Sequence, residues 1–205
     1  MACTIAPWRW LPAAALVSGL VGCGSFVPHR MDLASTCELQ PPVPASAPDK
    51  GCAIGASVET VAGLGPLPAF QVAYVEFTDQ GWLHDRAQLE RALALLRADP
   101  GDPRPLQVVA FVHGWKHGAA WGDTDVRNFR NKVVPAFAER AGKEVRTLGL
   151  YIGWRGNSID APGVRNITFY DRKSTAEHVA RGSVRELISR LRAAHDAEPA
   201  GRRAR

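Results

Sequence analysis

Hydrophobic and polar positions along this chain follow two periods, and the switches between them mark its elements. Gln71-Val72-Ala73-Tyr74-Val75-Glu76-Phe77 alternates as a strand does, and Asp79-Gln80-Gly81 closes it. Asp85 offers an N-cap with Gln88 three residues on, as in a capping box, and Leu89, Ala92, Leu93 and Leu96 share a helical face. Asp99-Pro100-Gly101-Asp102-Pro103 ends that helix. Leu106-Gln107-Val108-Val109-Ala110-Phe111-Val112 is an apolar, β-branched run that stops at His113-Gly114-Trp115, the pattern of a buried strand and its turn. Asp123-Thr124-Asp125 then supplies capping side chains for a helix with Val126, Phe129, Val133, Val134, Phe137 and Ala141 on one face, a kink at Pro135 and a stop at Gly142. Arg146 through Trp154 is another buried-strand run, closed by Arg155-Gly156-Asn157. Ser174-Thr175-Ala176-Glu177 is a full capping box opening a helix striped by Val179, Ser183, Leu187, Leu191 and Ala194.

Strands alternating with helices predict an α/β fold over residues 69–198: a parallel sheet with right-handed crossovers and helices on both faces, followed by a basic tail at 199–205. Ligands bind such sheets at the carboxyl ends of the strands, and His113 to Trp115 and Trp154 to Asn157 both fall there. A glycine just past a strand end permits a sharp turn or a close approach to a ligand, which focuses attention on Gly114.

Upstream the pattern changes. Residues 1–22 carry Arg9, no acid, and an apolar run from Leu11 to Leu20 ending in small residues, the plan of an export signal too short to span a bilayer. Leu20-Val21-Gly22-Cys23 resembles a bacterial lipobox, which makes Cys23 the lipidated first residue of the mature chain and the membrane its partner. Gly24, in place of an Asp, directs the expectation to the outer membrane, facing the periplasm. Residues 23–68, rich in Pro, Ala and Ser, read as a disordered tether lifting a domain off that membrane. With Cys3 lost in the signal and Cys23 acylated, Cys37 and Cys52 remain as either a disulfide in an oxidising compartment or two unpaired thiols. A sequence pI near 9.3 arises from a net charge of only +5, spread along the chain. No nucleic-acid partner is expected of so dilute a charge.

The stretch Phe111-Val112-His113-Gly114-Trp115-Lys116-His117, with Tyr151-Ile152-Gly153-Trp154-Arg155-Gly156 and Phe169-Tyr170-Asp171-Arg172-Lys173, resembles the α/β-hydrolase superfamily, and within it uncharacterised bacterial lipase- or esterase-like proteins. The resemblance runs from about Phe70 to His195 and implies ester or amide hydrolysis. It makes His113, Gly114 and Trp115 the oxyanion-hole candidates, with the Trp115 N–H as donor, and needs a second donor after the nucleophile. The superfamily carries that nucleophile in Gly-x-Ser-x-Gly on the following strand, then acid and His. These 205 residues contain no such motif. The expectation is therefore a truncated, inactive hydrolase fold whose strand at 107–112 has an open edge suited to self-association, or else a non-catalytic binding or scaffold lipoprotein.

Other residues admit plainer readings. His113 and His117 have the spacing of a helical zinc pair, but bracing of the turn is the expected role of His113, and neither a metal nor another cofactor is expected. Asp123 and Asp125 suit Ca²⁺ or helix capping, and Ser174 with His178 suits a nucleophile and base or a cap; capping is preferred in both. Ser158 near Asp160 has no base placed for it. Trp115, Trp121 and Trp154, with Arg155, either line an acyl pocket or cover the sheet, and Arg155 pairs with Asp171 if that loop is braced. The anchor is the simplest of these expectations to test. Cys23→Ala should release the protein from the membrane fraction, and unchanged association would reject lipidation.

Overall fold

The computed structural model describes residues 28–46, 54–97, 102–114, 116–154 and 169–197. In chain order the elements are β1 (Asp32–Leu39), β2 (Ala56–Val61), β3 (Phe70–Phe77), α1 (Arg86–Leu96), β4 (Leu106–Val112), α2 (Thr124–Asn128), a π-helical turn (Phe129–Val133), α3 (Val134–Ala141), β5 (Arg146–Trp154), α4 (Phe169–Arg181) and α5 (Val184–Ala197). The strands form one mixed sheet in the order β1-β2-β3-β5-β4, parallel except where β2 meets β3. No described helix is long and apolar enough to cross a membrane.

The period of two along each strand sorts the core into two layers. Phe70, Val72 and Tyr74 of β3 join Tyr151 of β5 beneath Val126, Phe129, Val134 and Ala138. Ala73, Val75 and Phe77, with Leu148, Leu150, Ile152 and Trp154, face the other way and pack on Leu89, Ala92, Leu93 and Leu96 of α1 and on Val184 and Leu187 of α5. Each fully buried Leu or Phe contributes about 1.5–3 kcal/mol, so the two layers supply the main driving force. The first layer approaches β5 so closely that a Cβ on Gly149 would lie 2.7 Å from Val134 Cγ2.

The expected tether at 23–68 requires correction. Within it β1 and β2 are sheet strands, and Cys37, Leu39, Val43, Val58 and Val61 are buried, so the folded unit reaches back at least to Pro28. Short strands rich in Ala, Ser, Thr and Glu give little apolar signal. The Pro-flanked backbone beyond β1 is pinned by a side chain rather than a ladder: the Val43 N–H donates to Asn131 Oδ1 at 3.1 Å, and Asn131 Nδ2 donates to the Val43 carbonyl at 3.0 Å.

Three helix expectations also change. Asp85 caps α1 by accepting from the Ala87 N–H at 2.7 Å, but Gln88 does not complete a capping box; its amide donates to the Arg30 carbonyl at 2.8 Å and accepts from the Glu76 N–H at 2.8 Å. The π-helical turn inserts one residue just before Pro135, which has no N–H to give and would crowd a regular turn. The extra residue rotates the stripe, so Ala138 faces the sheet and Phe137 is left 44% exposed. Ser174 lies inside α4, exposed, rather than at a helix start. The break comes at Gly182-Ser183, where the chain crosses the loop after β3. A Cβ on Gly182 would collide with the Gly81 carbonyl, and the Ser183 N–H donates to that carbonyl at 2.8 Å. A tertiary crossing sets this corner, and a local capping pattern cannot encode it.

Beneath the helical layer lies a charged cluster with no solvent exposure. Glu59 Oε1 accepts from Arg30 Nη1 at 2.9 Å and Arg130 Nη1 at 3.0 Å, and Glu59 Oε2 accepts from the Tyr74 hydroxyl at 2.8 Å. The Arg30 guanidinium lies 3.9 Å from the Tyr74 ring centroid and the Arg130 guanidinium 4.0 Å from that of Trp121. Arg30 Nε also donates to the Ala119 carbonyl at 2.8 Å. Among the described residues Arg30 Nη2, Arg130 Nε and Arg130 Nη2 have no hydrogen-bond partner, so Glu59 is the principal compensation for two buried cations. Glu59→Gln should lower unfolding free energy by about 3–5 kcal/mol in urea titrations, since removing one partner strands the others. A loss under about 1 kcal/mol would show that the cluster is not structural.

Candidate functional site

The carboxyl ends of β3, β5 and β4 carry Glu76, Trp154 and the turn from His113 onward. His113 is buried between the ends of two neighbouring strands. Its Nε2 accepts from the Trp154 backbone N–H at 2.8 Å, and its Nδ1 lies 2.9 Å from the Gly114 carbonyl. Because Nε2 accepts, the hydrogen-bond pattern assigns the proton to Nδ1, which donates to Gly114. The Trp154 indole N–H returns a bond to the His113 carbonyl at 2.9 Å, and the two rings stack at 5.4 Å and 3°. Both imidazole nitrogens are thus occupied in bracing the turn, leaving neither a lone pair for zinc nor a free base.

The left-handed backbone of this turn falls two residues after Gly114. A Cβ added at Gly114 would meet nothing within 4 Å, whereas Lys116 takes the left-handed φ of 74° that a glycine would adopt more easily. Trp115 lies outside the described residues, and so does its expected oxyanion-hole N–H.

The loop is closed by Asp123. Its Oδ1 accepts from the Asp125 N–H at 2.8 Å, capping α2, and lies 3.1 Å from His117 Nδ1; its Oδ2 accepts from the Gly118 N–H at 3.1 Å. Tyr151 donates its hydroxyl to the Gly118 carbonyl at 2.9 Å, tying the loop to β5. Ligand atoms of His117, Asp123 and Asp125 lie within 4.8 Å of one another, but the Asp123 oxygens already serve the cap and the loop. Helix capping, the plainer of the two readings, accounts for Asp123.

Trp121 and Trp154 belong to opposite layers of the core. Trp121 is a platform for Arg130 and donates its indole N–H to the Ser46 carbonyl at 3.2 Å. Arg155, Ser158, Asp160, the Asp171 side chain, Cys23 and Cys52 lie outside what is described. Cys37 is disulfide-bonded, to a cysteine outside the described residues.

No side-chain pattern announces the part played by the segment before β1. Glu76 is buried, and its carboxylate accepts from the His29 N–H at 2.9 and 3.0 Å, from the Arg30 N–H at 2.7 Å and from Gln88 Nε2 at 3.2 Å. Residues 29 and 30 therefore lie across the carboxyl end of β3, where a ligand would bind in such a sheet.

Burial, the leading cause, holds His113 below the ordinary histidine range near 6.5, and displaces half-buried His84 in the same direction. The folded chain then binds fewer protons than the unfolded chain just below that range, so stability is full above about pH 6.5 and falls as pH drops. Urea midpoints measured between about pH 7.5 and pH 5 should decline, and His113→Gln should flatten part of the slope; an unchanged slope would remove His113 from this role.

No protein-family model, no curated protein and no solved structure matches this chain, so the chemistry of the site rests on its own residues.

Proposed function

We propose that the chain is a lipid-anchored envelope protein, held by Cys23 at the outer membrane and facing the periplasm, whose α/β-hydrolase-like domain binds or scaffolds without hydrolysing. The observation that carries this reading is that the polar side chains of the carboxyl rim, Glu76, His113 and Asp123, are each hydrogen-bonded to the chain's own backbone. The histidine at the strand end has both ring nitrogens in structural hydrogen bonds, and among the described residues no serine hydroxyl is hydrogen-bonded to a histidine. Gly-x-Ser-x-Gly does not occur within these 205 residues, so they offer no nucleophile of that pattern beside Trp115. The mostly parallel sheet with flanking helices is compatible with the hydrolase resemblance, and the proposal carries over from it the scaffold without the ester- or amide-cleaving chemistry.

Two further features support the reading. A disulfide at Cys37 fits an exported chain, and with Cys3 lost and Cys23 acylated its partner is Cys52. β4 stands at the end of the sheet order, is uncharged, and leaves Val108 and Val112 exposed, which suits it to pair with a second strand. A serine-directed fluorophosphonate should leave the purified membrane-extracted protein unlabelled, with model esters unhydrolysed. A labelled serine would establish a nucleophile and contradict the proposal.

A further inference from the structure

We propose that the carboxyl rim of the sheet faces the phospholipid surface, with Trp82 seated in its interfacial zone; this rests on the anchoring of Cys23 argued above. The first support is a covalent length. Five residue steps separate Cys23 from Pro28, a span of at most about 18 Å however the backbone runs. Immediately after Pro28 the chain is fixed, because the His29 and Arg30 N–H groups are bonded to Glu76 at the carboxyl end of β3. A lipid on Cys23 therefore holds this end of the sheet close to the bilayer. The eight residues of β3 separate its two ends by roughly 23 Å, so the opposite end cannot face the membrane within that leash.

The distribution of exposed large apolar side chains supplies the second support. β2 runs antiparallel to β3 and β1 parallel to β2, so the starts of β1 and β2 lie at the rim where β3, β5 and β4 finish. Met31 precedes β1, Ile54 precedes β2, Trp82 lies in the loop after β3 and Val112 ends β4, and all four are exposed. Trp82, at 66%, is the most exposed of them. Among the described residues the opposite end presents Leu64 alone of this kind, while Val108, Phe137 and Ile188 belong to β4, α3 and α5. A tryptophan with an apolar body and a polar N–H suits the headgroup region. Charges along the rim are mixed, Lys116 and His117 beside Asp123 and Asp125, so the attraction is apolar and does not require anionic lipid. The short leash replaces the long tether expected from composition, and the domain lies against the membrane rather than above it.

The test uses the full lipidated protein reconstituted into phosphatidylcholine vesicles whose acyl chains carry bromine near the headgroup. Bromolipid should quench tryptophan emission, the quenched fraction should fall by at least half in Trp82→Phe, and Leu64→Trp should add emission that is not quenched. Unchanged quenching in Trp82→Phe, or quenching of the tryptophan at position 64, would overturn the orientation. Mass spectrometry of the N-terminal peptide separates the two readings. A lipidated Cys23 with Trp82 unquenched removes the orientation and leaves the anchor standing, whereas an unmodified Cys23 removes the anchor and the orientation together.

Discussion

Two arginines buried against a single glutamate are the constraint on which this fold depends. Arg30 comes from the segment before β1, Glu59 from the middle of β2, and Arg130 from the π-helical turn over the sheet. None of the three side chains is exposed, so each must find its compensation inside the protein. Separating any one element leaves charge unpaired in a low-dielectric interior, at a cost well above that of an ordinary surface ion pair. Tyr74 completes the arrangement; burial is the main reason its hydroxyl is pushed far above the usual phenol range, so it donates to Glu59 as a neutral group. Charge therefore ties the N-terminal strands to the parallel core, where their sparse apolar residues would hold them less firmly.

The same logic extends to the carboxyl rim. Glu76 fixes the backbone of residues 29 and 30, Asp123 closes the loop from 117 to 123, and His113 clamps β4 to β5. Each of these polar side chains sits where a parallel sheet would present catalytic groups, and each is engaged with backbone N–H groups or carbonyls of its own chain. These bonds hold the shape of the described rim, which suits the binding or scaffolding role proposed for it. A carboxylate or imidazole already saturated by backbone partners has little capacity left to move a proton to or from a substrate.

Much of the parallel core was legible from period alone. β3 and β5 fall where Phe70 and the Arg146–Trp154 run place them, because strands buried on both faces need continuous apolar character and display it; β4 forms over the Leu106–Val112 run, but as the last strand of the sheet its residues are half-buried or exposed rather than buried as expected. α1 was equally readable from Leu89, Ala92, Leu93 and Leu96. β1 and β2 were not, since an Ala-Ser-Val-Glu-Thr-Val strand reads as polar until its Glu is known to meet two arginines. The corner at Gly182 escaped for a related reason: its location is fixed by the backbone of Gly81, a hundred residues away, against a capping pattern at Ser174 that is locally complete. At the site, the bracing role of His113 was readable from the turn, whereas the strap over Glu76 depends on backbone donors that no side-chain pattern announces.

If that strap and the two strands after it are integral to the domain, the amide hydrogens of His29, Arg30 and Cys37 should exchange as slowly as those of Val72 and Val75 in β3. Native-state hydrogen exchange on the full-length protein measures this directly. Matching protection is the predicted result. Exchange at those three amides at the rate of an unstructured chain, with β3 still protected, would show residues 28–39 to be the loose tether that composition suggested, and would contradict the account at its foundation.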